Sequence, residues 1–463
     1  MVGRVSFRNV LIAIGLIGIG SPALLGAAYA QTLEEALIKA YQENPTLRAE
    51  RARLRATDEG VPQALSNWRP TVEVSGSYGW QRSDSTTNGP ANKSVEITDP
   101  LTGSLTISQS LYRGGRMYEA TERAKLNIKA DRARLFSTEQ TVLLSAVTAY
   151  ANVVRDQAVL DLEFRNESVL ERQLEATLDR FRVGEVTRTD VSQAESRLAT
   201  ARADRIAANG SLTDSRAAYE NVVGEKPGVL KPAKPLGNLP SSLAEAIDAA
   251  KRNNFGVAQA HFSQLASQSA VRMILGELLP SIQINGELQT NDETSTARSE
   301  NQKVSVTARV SMPLYASGSV TSRVRAAKQT VTQRQDEYNQ AVRDAIEDAT
   351  AAWQVLETGR AQISAFSSAV KAAEIALEGV REEANVGSRT LLDVLDAEQE
   401  LLNARVSLVR SMRDELVATH QVRQAVGEST AAKLELPVEL YNVDKNYREV
   451  RHKWWGLNAG DGR

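Results

Sequence analysis

The chain has 463 residues, of which 42% are hydrophobic, 24% charged and only 5% aromatic, and its formal net charge is −2. This near-neutral balance excludes a charge-driven nucleic-acid partner. The absence of cysteine excludes thiolate chemistry, Cys-type metal sites and disulfide staples, and the three histidines at 261, 420 and 452 are too scattered for a metal triad.

Residues 1–30 read as a cleavable secretory signal, with Arg4 and Arg8 as the positive start, Val10 to Gly20 as the apolar stretch, and Ala28, Tyr29 and Ala30 as a small-x-small cleavage site. The apolar stretch is short for a membrane span and is broken by Pro22. No Cys follows that could carry a lipid. The mature chain would begin at Gln31 and carry 53 basic against 57 acidic residues. It contains no apolar run near the ~18 residues of a membrane helix.

The mature chain is a tandem duplication. Val183, Gly184, Thr187, Asp190, Val191, Ala194 and Glu195 recur as Val386, Gly387, Thr390, Asp393, Val394, Ala397 and Glu398, 203 positions later. Upstream the offset is 210, as between Asn44 and Asn254 or Pro70 and Pro280, so the first copy holds seven extra residues. The polar loop from Gln81 to Gly103 is where insertion costs least.

In chain order, residues 31–223 form the first repeat: a helix over about 33–66, strands over about 71–80 and 104–112, a long helix 116–183 and a return helix 188–222. Residues 224–240, rich in Pro and Gly, are a linker. Residues 241–427 repeat the order: a helix over about 242–276, strands over about 281–290 and 303–315, a long helix 319–386 and a return helix 390–426. A tail, 428–463, follows.

The strands alternate apolar and polar residues, as in Val72, Val74, Gly76, Tyr78 and Trp80, and their lengths suit the ~9–11 residues of a tilted membrane strand. A bilayer offers no partner to an open sheet edge, and four strands are too few to close a barrel, so several chains must contribute. Residues 116–183 lack Gly and Pro and would form a helix of about 100 Å, far beyond globular lengths. Narrow stripes such as Leu143, Val147, Tyr150 and Val154 are coiled-coil-like and call for neighbouring helices.

Gly184 and Gly387 end the long helices, and Thr187/Asp190 and Thr390/Asp393 read as capping boxes for the return helices. Capping is therefore the plain reading of Asp190 and Asp393. Asp396 lies one turn further on the face of Asp393 with no capping role, so a ring of chains would stack two acidic girdles at a pore mouth. Arg389 in the turn is expected to reach Asp190 or Thr189 on the neighbouring hairpin. No nucleophile–base pair, phosphate loop or metal cluster occurs, so the chain reads as no enzyme and needs no cofactor.

On these residues, and on the Leu279-Pro280 strand start, the sequence resembles the TolC-like outer-membrane efflux proteins from Leu33 to about Gly427. The resemblance implies an α+β membrane fold, a homotrimer with one twelve-stranded β-barrel continued by a periplasmic α-helical barrel. It implies an exit duct for drugs, toxins or proteins, partnered by a periplasmic adaptor and an inner-membrane pump of the RND or ABC type. Arg389, Asp190 and Thr189 match the links that hold the entrance shut, Asp393 and Asp396 its acidic constriction, and Val183, Gly184, Val386 and Gly387 the tips that meet the adaptor. Ala384 stands where the family pattern has a Tyr partner of the closed state, which implies a closure resting more on Arg389, or an easier opening. The tail would wrap the tunnel's middle, and Trp454 and Trp455 serve that or plain packing. The rival readings are a type I protein-secretion duct and, in another class, a periplasmic or surface structural coiled-coil protein.

Overall fold

The structure, a computed structural model, describes residues 31–86 and 93–459; the predicted signal segment and its cleavage site lie outside them. In the first repeat, α1 (Leu33–Glu43), α2 (Pro45–Asp58) and α3 (Gly60–Ser66) precede β1 (Thr71–Tyr78), β2 (Gln81–Thr86), β3 (Lys93–Thr98) and β4 (Leu101–Arg113). The long helix α4 (Arg116–Arg182) and the return helix α5 (Arg188–Val223) complete it. The second repeat runs α6 (Leu243–Asn253), α7 (Phe255–Leu275), β5 (Ser281–Asp292), β6 (Glu300–Ser311), α8 (Ser319–Asn385) and α9 (Leu391–Ala425), and the tail holds α10 (Lys445–Val450).

The single opening helix expected in each copy is broken. Asn44 precedes Pro45, which disfavours helical backbone, and its side chain accepts from the N–H groups of Thr46 and Leu47. Asn254 does the same for Gly256 and Val257 without any proline. Each Asn also donates to the end of its own return helix, Asn44 to the Val222 carbonyl at 2.9 Å and Asn254 to that of Ala425 at 3.3 Å. One side chain thus caps a helix and clips it to another.

The four-stranded sheet has the order β1-β4-β5-β6, all antiparallel, so the two repeats join through β4 and β5. The register is continuous across both copies. Val72 faces Ile107, Val74 faces Leu105, Leu105 faces Leu288, and Leu288 faces Val304, which puts one apolar row across the sheet. The opposite face carries Glu73, Ser75, Ser104, Thr106, Gln289, Glu287, Lys303 and Ser305. The apolar face is bare, with Val74 at 78% and Val306 at 78% exposure, and β1 and β6 keep free edges among the described residues.

The stretch expected as a polar loop, 81–103, is instead partly strand. β2 and β3 pair as a second hairpin beyond the sheet, with the Ser85 and Ser94 hydroxyls 2.7 Å apart across it. β1 stops at Tyr78 because the chain bends at Gly79, whose N–H meets the Pro100 carbonyl. β6 ends at Ser311, short of the expected Tyr315, because Pro313 has no N–H to continue the ladder.

Below the sheet the helices run as two long antiparallel pairs, α4 with α5 and α8 with α9. The same cross-helix ion pair occurs in both: Arg202 to Glu171 at 2.9 Å, and Arg405 to Glu374 at 2.7 Å. The main core surrounds Leu47, Leu143, Val147, Tyr150 and Tyr219 in the first repeat, closed by Leu434, Leu436 and Val438 of the tail. Burial pushes the Tyr150 hydroxyl up to about 12, and this group lies within hydrogen-bonding distance of the Gln31 and Lys231 carbonyls. The second repeat has a smaller cluster of alanines with Leu356 and Val422, and α8 leaves Val355 and Ile375 exposed.

Candidate functional site

Both long helices end alike, far from the sheet. Gly184 and Gly387 take left-handed backbone, each with φ of 80°. The next N–H closes the end: Glu185 donates to the Arg180 carbonyl at 3.0 Å, and Ser388 to that of Glu383 at 2.9 Å. Two residues on, the return helices open with reciprocal caps. Thr187 donates its N–H and hydroxyl to Asp190, and Thr390 does so to Asp393, all at 2.8–2.9 Å. The backbone N–H of Thr390, then its hydroxyl, holds the Asp393 carboxyl below the usual range. Both Asp190 and Asp393 thus spend an oxygen on the cap. Val183 and Val386 project at the turns with more than two-thirds of their surface exposed.

Arg389 does not rest on Asp190 or Thr189 within the chain. Its Nε donates to Glu383 at 2.8 Å, on the same hairpin, because the turn folds the two residues back together. Glu383 raises the affinity of this guanidinium for its proton. Asp396 also has a partner: Arg197 of α5, at 2.5 Å. Around that pair Leu395 packs with Leu170, Leu198 and Ala201, so the two hairpins of one chain meet through a small apolar contact and one ion pair.

Glu383 and Arg197 belong to no motif in the sequence, yet the repeat marks them. Glu383 stands opposite Arg180, and Arg197 opposite Glu400, each a charge reversal between the copies. At Arg389 opposite Val186, and Asp396 opposite Gln193, the second copy instead places a charge where the first has none. Ala384 lies in the last turn of α8 and its carbonyl accepts from Gly387.

A duplicated hairpin-and-helix chain with an apolar-faced open sheet at one end and capped tips at the other is matched by the outer membrane efflux protein profile over residues 36–225 and 246–428. The chain belongs to the outer membrane efflux protein family. It is 33% identical over 455 residues to the outer membrane efflux protein BepC of Brucella suis, covering 98% of each chain. The outer membrane protein TolC of Vibrio cholerae is 27% identical over 413 residues, 87% of this chain and 92% of its own. The Campylobacter jejuni CmeC outer membrane channel has the same fold, with a TM-score of 0.77 at 17% identity over 91% of this chain and 89% of its own. The protein is therefore an outer-membrane exit duct. The structural coiled-coil alternative falls with this membership, and it would leave the apolar face of the sheet without a purpose.

Proposed function

We propose that the chain is the passive duct of a tripartite export system, assembled as a homotrimer whose twelve strands close one barrel and whose helices continue as a periplasmic tunnel. The observation that carries this reading is the sheet. Its apolar face is exposed, its other face is polar, and among the described residues β1 and β6 end it in free edges that hydrocarbon cannot satisfy. Further copies joined edge to edge would satisfy them, and the resemblance to TolC-like ducts supports three. The signal would be cleaved after Ala30.

In such a ring the tips of α4/α5 and α8/α9 meet at the periplasmic mouth. Asp393 and Asp396 form the acidic constriction, and Arg389 links to Asp190 or Thr189 of an adjacent hairpin in the shut state. Val183-Gly184 and Val386-Gly387 meet the adaptor, which couples the duct to an inner-membrane pump. The pump chooses between drugs and proteins as cargo. Membrane fractionation tests the duct: an outer-membrane, heat-modifiable oligomer is expected, and recovery as a soluble periplasmic protein would sink it. Deleting the protein and assaying drug sensitivity beside the secreted proteome assigns the cargo.

A further inference from the structure

The tail does not stop at the tunnel's middle. Its contacts climb the first repeat in order. Ala431 donates its N–H to Glu139 at 2.7 Å, and Tyr441 donates to the Tyr41 hydroxyl at 2.9 Å. Asp444 meets Arg132 at 2.7 Å, and Asn446 donates to Asp58 at 2.8 Å. Last, Arg69 donates to the Lys453 carbonyl at 2.8 Å and lays its guanidinium 4.6 Å from the centre of the Trp454 ring. Glu139 lies 23 residues into α4, about 35 Å along the helix, whereas Arg69 immediately precedes Pro70 and the start of β1. The described part of the tail therefore reaches the helix-side rim of the sheet.

At that rim it presents what water disfavours. Trp454 is 61% and Trp455 87% exposed, Leu457 is fully exposed, and Trp68 beside Arg69 is about half exposed. The lipid-facing rows of the sheet begin here, with Val72 on β1 and Ile282 paired to Val310 on β5 and β6. Tyr112 lies opposite Ile282 on the same face, and Tyr78 marks the other end of β1. Aromatic residues at both edges of an apolar band are what a bilayer selects, because indole and phenol rings settle at the headgroup level. Residues 451–459 add Arg451 and Lys453 and contain no acidic side chain. Laid on the inner wall of the duct, the same segment would stand in the passage.

We propose that the segment Arg451–Leu457 is a membrane-surface anchor: Trp454, Trp455 and Leu457 enter the periplasm-facing leaflet of the outer membrane while Arg451 and Lys453 lie against anionic phospholipid. Arg69 is its hinge point, fixing the segment through the Lys453 carbonyl and the Trp454 ring. The inference rests on the outer-membrane reading of the sheet.

The chain has no cysteine, so one label can be placed at a time. Full-length Trp455→Cys, Val306→Cys and Ser368→Cys proteins carry an environment-sensitive fluorophore in vesicles of phosphatidylethanolamine and phosphatidylglycerol. Val306 is on the lipid-facing row, and Ser368 is an exposed position deep in α8. Brominated lipid should remove most of the emission from the Trp455→Cys and Val306→Cys proteins and leave that of Ser368→Cys unchanged. Quenching of the Val306→Cys protein without quenching of Trp455→Cys would overturn the anchor and leave the duct intact. A blue-shifted label in Trp455→Cys that bromine does not quench would place it against protein and overturn the anchor too. No quenching in either protein would remove the membrane reading and the anchor with it.

Discussion

Arg197 on α5 holds Asp396 on α9 at 2.5 Å, so a carboxylate proposed for the constriction, with no cap to serve, is ion-paired within its own chain. The pair is exposed on both sides, and such pairs contribute under about 1 kcal/mol. Its weight lies in charge placement. Asp396→Asn should weaken cation selectivity in planar bilayers, and Asp393→Asn with it should abolish block by multivalent cations. Arg197→Gln should do the reverse, strengthening both by freeing Asp396. If Arg197→Gln and Asp396→Asn shifted selectivity the same way, the pair would not face the permeation path.

Arg389 is shared between two acids in this reading. Glu383 holds it within the chain, and Asp190 awaits it across the ring. Arg389→Ser should raise single-channel conductance. Glu383→Gln should lower it, because a guanidinium released from Glu383 is free for the closing link. Equal conductance in wild type, Arg389→Ser and Glu383→Gln would take Arg389 out of the gate.

The caps at the tips are separable from the gate. Thr187→Ala and Thr390→Ala each remove an N-cap hydroxyl that accepts from the Asp190 or Asp393 N–H, a loss of about 1 kcal/mol at the helix end. Faster amide exchange confined to the first turns of α5 and α9 is expected, with the barrel unchanged. Exchange that rose throughout the helices would show that the tips nucleate more than themselves.

What sequence made legible follows from local physics. Period-two alternation placed the strands, the Pro-free long helices ran their full length even through Gly210, Gly359 and Gly379, and Gly184, Gly387, Thr187 and Thr390 act where turn and cap chemistry puts them. Local physics was silent where partners come from afar. β2 is polar on both faces and β3 offers only Val95 and Ile97 on one of them, too short an alternation to announce the hairpin. Asn254 breaks its helix without proline because Ala425, over 170 residues later, rewards the bend. The partner of Asp396 depends on helix register at the far end of 67-residue helices, which periodicity does not fix to within a turn, whereas Glu383 lies six residues from Arg389 across one turn and was within local reach.

One junction should tolerate no side chain. A methyl at Gly114 would lie 2.0 Å from the Gly276 carbonyl oxygen, and one at Gly276 would lie 2.4 Å from that of Gly114. Here the first repeat leaves the sheet while the second enters it. Gly114 also has φ of 62°, which costs an L-residue roughly 1–2 kcal/mol before any clash. Gly114→Ala and Gly276→Ala should each greatly reduce the heat-modifiable oligomer in outer membranes. Gly103→Ala, with open space around its site, should not.

His420 on α9 should make the duct acid-sensitive. The residue is 2% exposed, neither ring nitrogen has a hydrogen-bond partner among the described residues, and burial, with Arg423 nearby, pulls it down to about 4. A histidine depressed below its unfolded value of about 6.5 is neutral in the fold, and the unfolded chain takes up the proton first. Its stability contribution is therefore full above pH about 6.5, falls as pH drops towards 4, and levels off below that, a total of about 3 kcal/mol per chain. Asp58 and Glu139 act in the opposite sense, because burial raises both carboxyls and acidification favours their neutral buried forms. The difference between wild type and His420→Leu isolates the histidine. Between pH 7.5 and 4.5 the denaturant midpoint of wild type should fall further than that of His420→Leu. Parallel curves would mean that the imidazole finds a proton acceptor inside the assembled duct.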